Sequence, residues 1–123
     1  MRKLARDEAE EYFALLPKTQ AVVLTDLRDR ITKLAKAEPD LIISYQLPTI
    51  RVAGKSFLAF AAWKDFYSIY LLSGSLGATI AGELSQGSLD KSTLRFRWDE
   101  RVTDKTLRLL IRARREEIAQ RGN

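Results

Sequence analysis

The side chains available for chemistry in this sequence are arginines, lysines, carboxylates and hydroxyls, because its 123 residues include no histidine and no cysteine. That removes the commonest general base, the commonest zinc ligand and all thiolate chemistry. Three groups remain. In the stretch 93–98 the residues alternate, with Leu94, Phe96 and Trp98 pointing one way and Thr93, Arg95 and Arg97 the other. Together with Tyr45, Arg51, Lys64 and Lys91, these arginines form a candidate ligand-binding set. A tyrosine hydroxyl among cations suits a small anion or the carboxylates of an acidic protein partner. A second group joins Arg95 and Arg97 to Arg101, Lys105, Arg108 and Arg112, a run that could meet the phosphates of a nucleic acid. Asp7, Glu8, Glu10 and Glu11 make the third, a cluster of hard oxygens able to hold a metal ion weakly.

Each group also has a plainer reading. The four acids sit where a helix dipole favours carboxylates. Asp99 and Asp104 interrupt the basic run, and Glu116 and Glu117 are placed to pair with Arg112 and Arg121. Arg51 and Arg95 can be spent on helix carboxylates. Phe57, Phe60, Trp63, Phe66, Tyr67 and Tyr70 read as core residues rather than a stacking platform. Catalysis is not expected, since Ser44, Ser56 and Ser73 have no base beside them. No cofactor is expected either.

Charge and hydropathy set the frame. The net charge is +5. From Lys91 onward ten basic residues face five acidic ones, whereas before Lys91 the count is eleven of each. The length suits one domain over 1–123, with a core large enough to need no staples. No apolar run reaches the roughly 18–20 residues that span a bilayer. Met1–Arg6 is basic but leads into acids rather than an apolar segment, so a cytoplasmic location is expected and no signal peptide.

The elements that must position these residues follow from periodicity. Asp7 is placed to cap a first helix carrying Ala9, Tyr12, Phe13 and Leu16, which Pro17 ends. A second helix over 18–37 buries Leu27, Ile31 and Leu34 and pairs Asp26 with Arg30 and Asp29 with Lys33. The period then changes to 2. Strands are expected over 42–47, 49–53, 56–63, 66–72 and 93–98, with Gly54-Lys55 as a hairpin turn. A short helix through Leu76 and Ile80 is weakened by Gly77 and Gly82. Thr103 or Asp104 caps a last helix burying Leu107, Leu110, Ile111 and Ile118. The expected class is α+β, an antiparallel sheet of about five strands packed by the N-terminal helix pair and the C-terminal helix.

Two segments carry a family resemblance. Ile43–Ile50 (ISYQLPTI) resembles the ISYGMPxF stretch of the YdhG-like domains of unknown function, and Lys91–Phe96 (KSTLRF) resembles their KGTIRF stretch. Leu16-Pro17, Phe60–Lys64 and the C-terminal helix fall in the same order, so the likeness covers nearly the whole chain. Gln46 and Ser92 stand where the family has glycine, and Arg97 where it has proline. The resemblance implies an antiparallel α+β sandwich akin to the YjbR and CyaY (frataxin-like) folds. It also implies two functions to set beside anion binding. One is an intracellular iron chaperone, with Asp7, Glu8, Glu10 and Glu11 as the iron-holding acids. The other is nucleic-acid binding.

Overall fold

The structure, a computed structural model, describes residues 5–36, 40–44 and 46–122. Pro17 separates the first two helices, α1 (Ala5–Ala14) and α2 (Lys18–Ala35). It has no N–H to give an interior turn, and its carbonyl opens α2 by accepting from Gln20 and Ala21. Since α1 starts at Ala5, Asp7 lies within its first turn rather than capping it, and the Asp7 side chain is outside the described residues. Leu24, Leu27 and Ile31 form the buried stripe of α2. Asp26 meets Arg30 at 3.4 Å, but Asp29 turns to Arg28 at 2.9 Å instead of reaching Lys33.

Six antiparallel strands follow: β1 (Asp40–Ser44), β2 (Leu47–Val52), β3 (Lys55–Ala62), β4 (Phe66–Tyr70), β5 (Ser88–Asp90) and β6 (Thr93–Arg97). Their order in the sheet is β1-β2-β3-β4-β6-β5, so β3 and β4 are central, as their apolar content implied. The strand missing from the sequence reading is β5, which at three residues is too short to show an alternation.

Two turns fall elsewhere than expected. Ser44 pairs with Leu47 and Ile43 with Pro48, so the strand expected over 42–47 is broken by a hairpin turn. Pro48 is already in β2, and Gln46 holds a φ of +67° in the turn. That is the left-handed region which favours the glycine usual in the family. Val52 pairs with Lys55, which moves the second turn to Ala53-Gly54. Both residues have positive φ, 54° and 78°, as a type I′ turn requires.

A bulge sits in β3. Ile50 pairs with Leu58 but Arg51 with Ser56, leaving Phe57 as an extra residue. Phe57 and Leu58 are consequently both buried although adjacent in sequence. The carbonyls at this bulge are taken by Arg114 of the last helix, α4 (Asp104–Gly122). Its Nε donates to Phe57 O at 2.8 Å and its Nη2 to Ser56 O at 2.9 Å. Nη1 meets Glu117 at 2.7 Å, and the other Glu117 oxygen accepts from the Ser73 hydroxyl at 2.6 Å. Thr103, not Asp104, caps α4: its hydroxyl accepts from the Thr106 N–H at 3.2 Å.

One sheet face is the core. Ile50, Leu58, Phe60, Tyr67, Ile69, Leu94 and Phe96 pack with Leu24, Leu27 and Ile31 of α2 and Leu107, Leu110 and Ile111 of α4. α1 is fastened by the Phe13 ring, 6.0 Å from Phe60, and by the Tyr12 hydroxyl, which accepts from the Ala62 N–H at 2.9 Å.

After β4 the chain makes α3 (Leu76–Ile80) and one 3-10 turn over Ala81–Glu83. The two glycines expected to weaken this helix differ sharply. A Cβ on Gly77 would lie 1.8 Å from the Lys91 carbonyl oxygen, whereas one on Gly82 would meet nothing within 4 Å. Gly77 is what lets α3 approach the β5–β6 turn. Gly77→Ala is expected to destabilise the domain by at least the ~1–3 kcal/mol of an overpacked core. Gly82→Ala should be neutral or stabilising by up to about 1 kcal/mol. Urea denaturation of the two variants side by side checks this, and equal midpoints would refute it.

Candidate functional site

The cross-strand register assembles the outer face of the sheet. Phe66 pairs with Arg97, Ser68 with Arg95 and Tyr70 with Thr93, and paired residues share a face. Small residues lie between the large ones, since Ala61 pairs with Ser68 and Ala59 with Tyr70. Over them the Trp63 ring stacks on Phe66 with centroids 6.3 Å apart, and the Trp63 Nε1 donates to the Tyr70 hydroxyl at 3.1 Å. The Arg95 guanidinium lies 5.4 Å from the Phe66 ring centroid. The six aromatics taken as core thus divide: Phe57, Phe60 and Tyr67 are buried, while Trp63, Phe66 and Tyr70 stand on the outer face with Trp63 47% exposed. A period-2 pattern that is apolar on both faces cannot say which face the helices cover.

Beside this ledge is an open groove of about 550 Å³ lined by Asp65, Phe66, Gly87, Ser88, Arg95, Phe96, Arg97 and Glu100. Arg95 and Arg97 therefore share one surface, as their alternation implied. Each has a carboxylate at hand: Asp90 lies 3.7 Å from Arg95 and Asp99 3.1 Å from Arg97.

The rest of the expected ligand set does not converge there. Arg51 is on β2, separated from β6 by two strands, a distance of about 14 Å at ~4.8 Å per strand. Lys64 follows β3 near the Arg97 end, while Lys91 occupies the β5–β6 turn beyond Thr93 with a φ of +56°. Tyr45 lies outside the described residues.

The basic run is likewise divided. Lys105, Arg108 and Arg112 line a groove of about 440 Å³ on α4 with Glu83, Ser85, Thr106 and Leu109. Arg101 turns instead to Asp26 at 3.8 Å. Glu117 bonds Arg114 at 2.7 Å and Arg112 meets Glu83 at 3.3 Å, while the Arg121 side chain expected to pair with these acids lies outside the described residues. Arg114 is the functional-looking residue that sequence reasoning passed over. It reads as one more arginine of an exposed face, yet it is only 7% exposed. With Ser44, Leu47, Thr49, Ser56 and Leu72 it lines a cleft of about 280 Å³ below the first motif. As for metals, Glu8 and Glu10 are exposed on α1. Among the described residues no three histidine, cysteine, aspartate or glutamate side chains come together to hold an ion.

Between α2 and residues 98–102 lies a fourth recess of about 350 Å³, walled by Val22, Val23, Leu27, Tyr67, Trp98 and Val102. Arg30 closes one end, donating to Val102 O at 2.5 Å and to Asp104 at 2.7 Å. This guanidinium holds the Asp104 carboxyl below the usual aspartate range.

No family model matches the chain, and no curated protein matches it in sequence. Its fold is one seen before, the six-stranded α+β architecture of a protein of unknown function. A crystal structure of a protein from the DUF1801 family, YdhG of Bacillus subtilis, superposes with a TM-score of 0.81 at 14% identity, covering 95% of each chain. The YdhG-like fold implied by the two sequence motifs is the fold found. Among the described residues no helix is long and apolar enough to cross a membrane.

Tyr67 makes this region sensitive to alkali. Its ring packs 5.5 Å from Phe96 and 5.1 Å from Trp98, and its hydroxyl donates to the Glu100 carbonyl. Burial pushes the phenol up to about 12 from 10.0. The unfolded chain would ionise first, so stability that is complete below pH 10 is lost as pH rises towards 12. Denaturation at pH 9 and pH 11 should show a larger loss for the native chain than for Tyr67→Phe. An equal loss would assign the effect to other groups.

Proposed function

We propose that this chain is a non-enzymatic binding domain that holds an anionic ligand on the outer face of its sheet, at Arg95 and Arg97. The observation that carries the reading is the exposure of both guanidiniums on one open groove, with surface carboxylates and, for Arg95, the Phe66 ring as partners among the described residues. Exposed ion pairs contribute about 0–1 kcal/mol, so Asp90 and Asp99 hold the guanidiniums only weakly. A phosphate taken bidentately by both arginines displaces them at little cost. With neither histidine nor cysteine in the chain, binding accounts for the groove more simply than catalysis. Titration with pyrophosphate is expected to shift the amide signals of Gly87, Ser88, Arg95 and Arg97. The double variant Arg95→Glu/Arg97→Glu should lose the response and keep its circular dichroism. Shifts that persist in the variant would overturn the proposal.

The charge layout of α4 favours a second reading, contact with the phosphate backbone of a nucleic acid. Lys105, Arg108 and Arg112 recur at helical spacing along one side of a groove lined by a single carboxylate, Glu83. Lys105 and Arg108 make no ion pair among the described residues, and a phosphate that displaces the exposed Glu83 contact makes Arg112 the third cation. Binding of a mixed-sequence DNA duplex should then fall with salt at a log–log slope of about −2.7. Arg108→Gln should bring that slope to about −1.8. A slope indifferent to Arg108 would remove this reading.

A further inference from the structure

We propose that the ligand of the sheet groove is a nucleoside monophosphate, its base stacked at Trp63 and Phe66, its phosphate on Arg95 and Arg97, and its ribose hydroxyls on Asp65 and Glu100. The inference rests on the anion-binding reading of the same groove and names what a bare anion leaves unexplained.

The aromatic ledge is the first such feature. Trp63 is 47% exposed yet held on three sides. Phe66 flanks its ring, Tyr70 takes its indole N–H at 3.1 Å, and its carbonyl accepts from the Trp98 Nε1 at 3.1 Å. An indole fixed in this way loses little further freedom when a flat ring stacks on it. Base–aromatic stacking tolerates any base, because every base presents a π-face. Arg95, lying over Phe66, places guanidinium donors at the edge of the ledge where a phosphate attached to that base would fall.

The carboxylates are the second feature. Asp65 and Glu100 share the groove with the two arginines, so an inorganic anion gains from the cations and is repelled by the acids. Ionised carboxylates are acceptors only, and what satisfies them is a donor, such as the hydroxyls of a ribose. Glu100 spends one oxygen on the Gly87 N–H at 3.4 Å, leaving the other for such a bond. A ligand carrying both phosphate and diol meets both charges of the groove.

A third feature lies beneath. Ser68 is 1% exposed and its hydroxyl has no hydrogen-bond partner among the described residues. It stands on the same rung of the ladder as Arg95 and Ser88. Enclosed and not among the residues lining the groove, Ser68 is the closed floor beside Arg95 rather than a contact for the ligand. The groove volume of about 550 Å³ lies within the roughly 300–1,000 Å³ of small-molecule sites.

The test titrates the full chain with adenosine 5′-monophosphate, ribose 5-phosphate and inorganic phosphate, following the Trp63 indole and the Gly87, Ser88 and Arg95 amides by NMR. The mononucleotide should saturate these signals about tenfold more tightly than ribose 5-phosphate, the share expected of one stacked base. Inorganic phosphate should bind most weakly. Trp63→Phe should keep most of the advantage of the base, and Arg95→Gln should weaken all three ligands. If the mononucleotide binds no tighter than inorganic phosphate, the nucleotide assignment is overturned while anion binding stands. If none of the three moves these signals, both readings fall.

Discussion

The register of β4 against β3 and β6 governs what this molecule can present. Because side chains alternate with a period of 2, the pairing that sends Tyr67, Ile69, Leu94 and Phe96 inward also sends Phe66, Ser68, Tyr70, Arg95 and Arg97 outward. A slip of one residue would expose four large apolar side chains at about 1.5–3 kcal/mol each. That is about 6–12 kcal/mol, comparable with the whole stability of an ordinary domain. The core therefore dictates the outer face. Trp63, Phe66 and Arg95 are neighbours there because their sequence neighbours are locked inside, and the groove inherits that rigidity.

A second constraint ties the last helix to this sheet. The extra residue Phe57 turns two successive apolar side chains into the core and frees backbone carbonyls at the bulge. Arg114 reaches them from α4, and Glu117 with Ser73 completes its shell. A guanidinium taken so far from water is tolerable only when its charge and its donors are both met. Removing one member of such a set typically costs about 3–5 kcal/mol. The polar cluster thus fastens α4 over the sheet, and with it the stripe of Lys105, Arg108 and Arg112.

The basic excess of the last quarter of the chain is consequently shared between two surfaces of different chemistry. On the sheet, β5 and the turn after β6 bring Asp90 and Asp99 to the arginines, and Asp65 and Glu100 line the same groove. Four carboxylates there stand with two arginines beside exposed aromatic rings. On α4 only Glu83 tempers three cations, and the surface is electrostatic in a simpler sense. A mixed groove next to flat rings suits a small ligand with several kinds of group. A bare cationic stripe suits a polymer of like charges.

Much of this was legible in residue spacing. The stripes of α2 and α4, the alternation over 93–98 and the central place of β3 and β4 follow from the 3.6 and 2.0 periods that backbone geometry imposes on any sequence. The two motifs placed the fold correctly. The partners were not legible. Arg30 meets Asp104 across 74 positions, Arg114 meets the carbonyls of Ser56 and Phe57, and the Trp63 indole reaches the Tyr70 hydroxyl. Local spacing says which residues share a face of one element. It does not say which face another element covers, nor whose carboxylate arrives beside whose arginine. By itself, then, the sequence determined the elements, their apolar sides and the location of the excess charge, because those depend on backbone period and composition. Tertiary structure alone decided that Arg95 would stand among aromatic rings and acids while Arg114 was buried, because that depends on register and packing between distant segments.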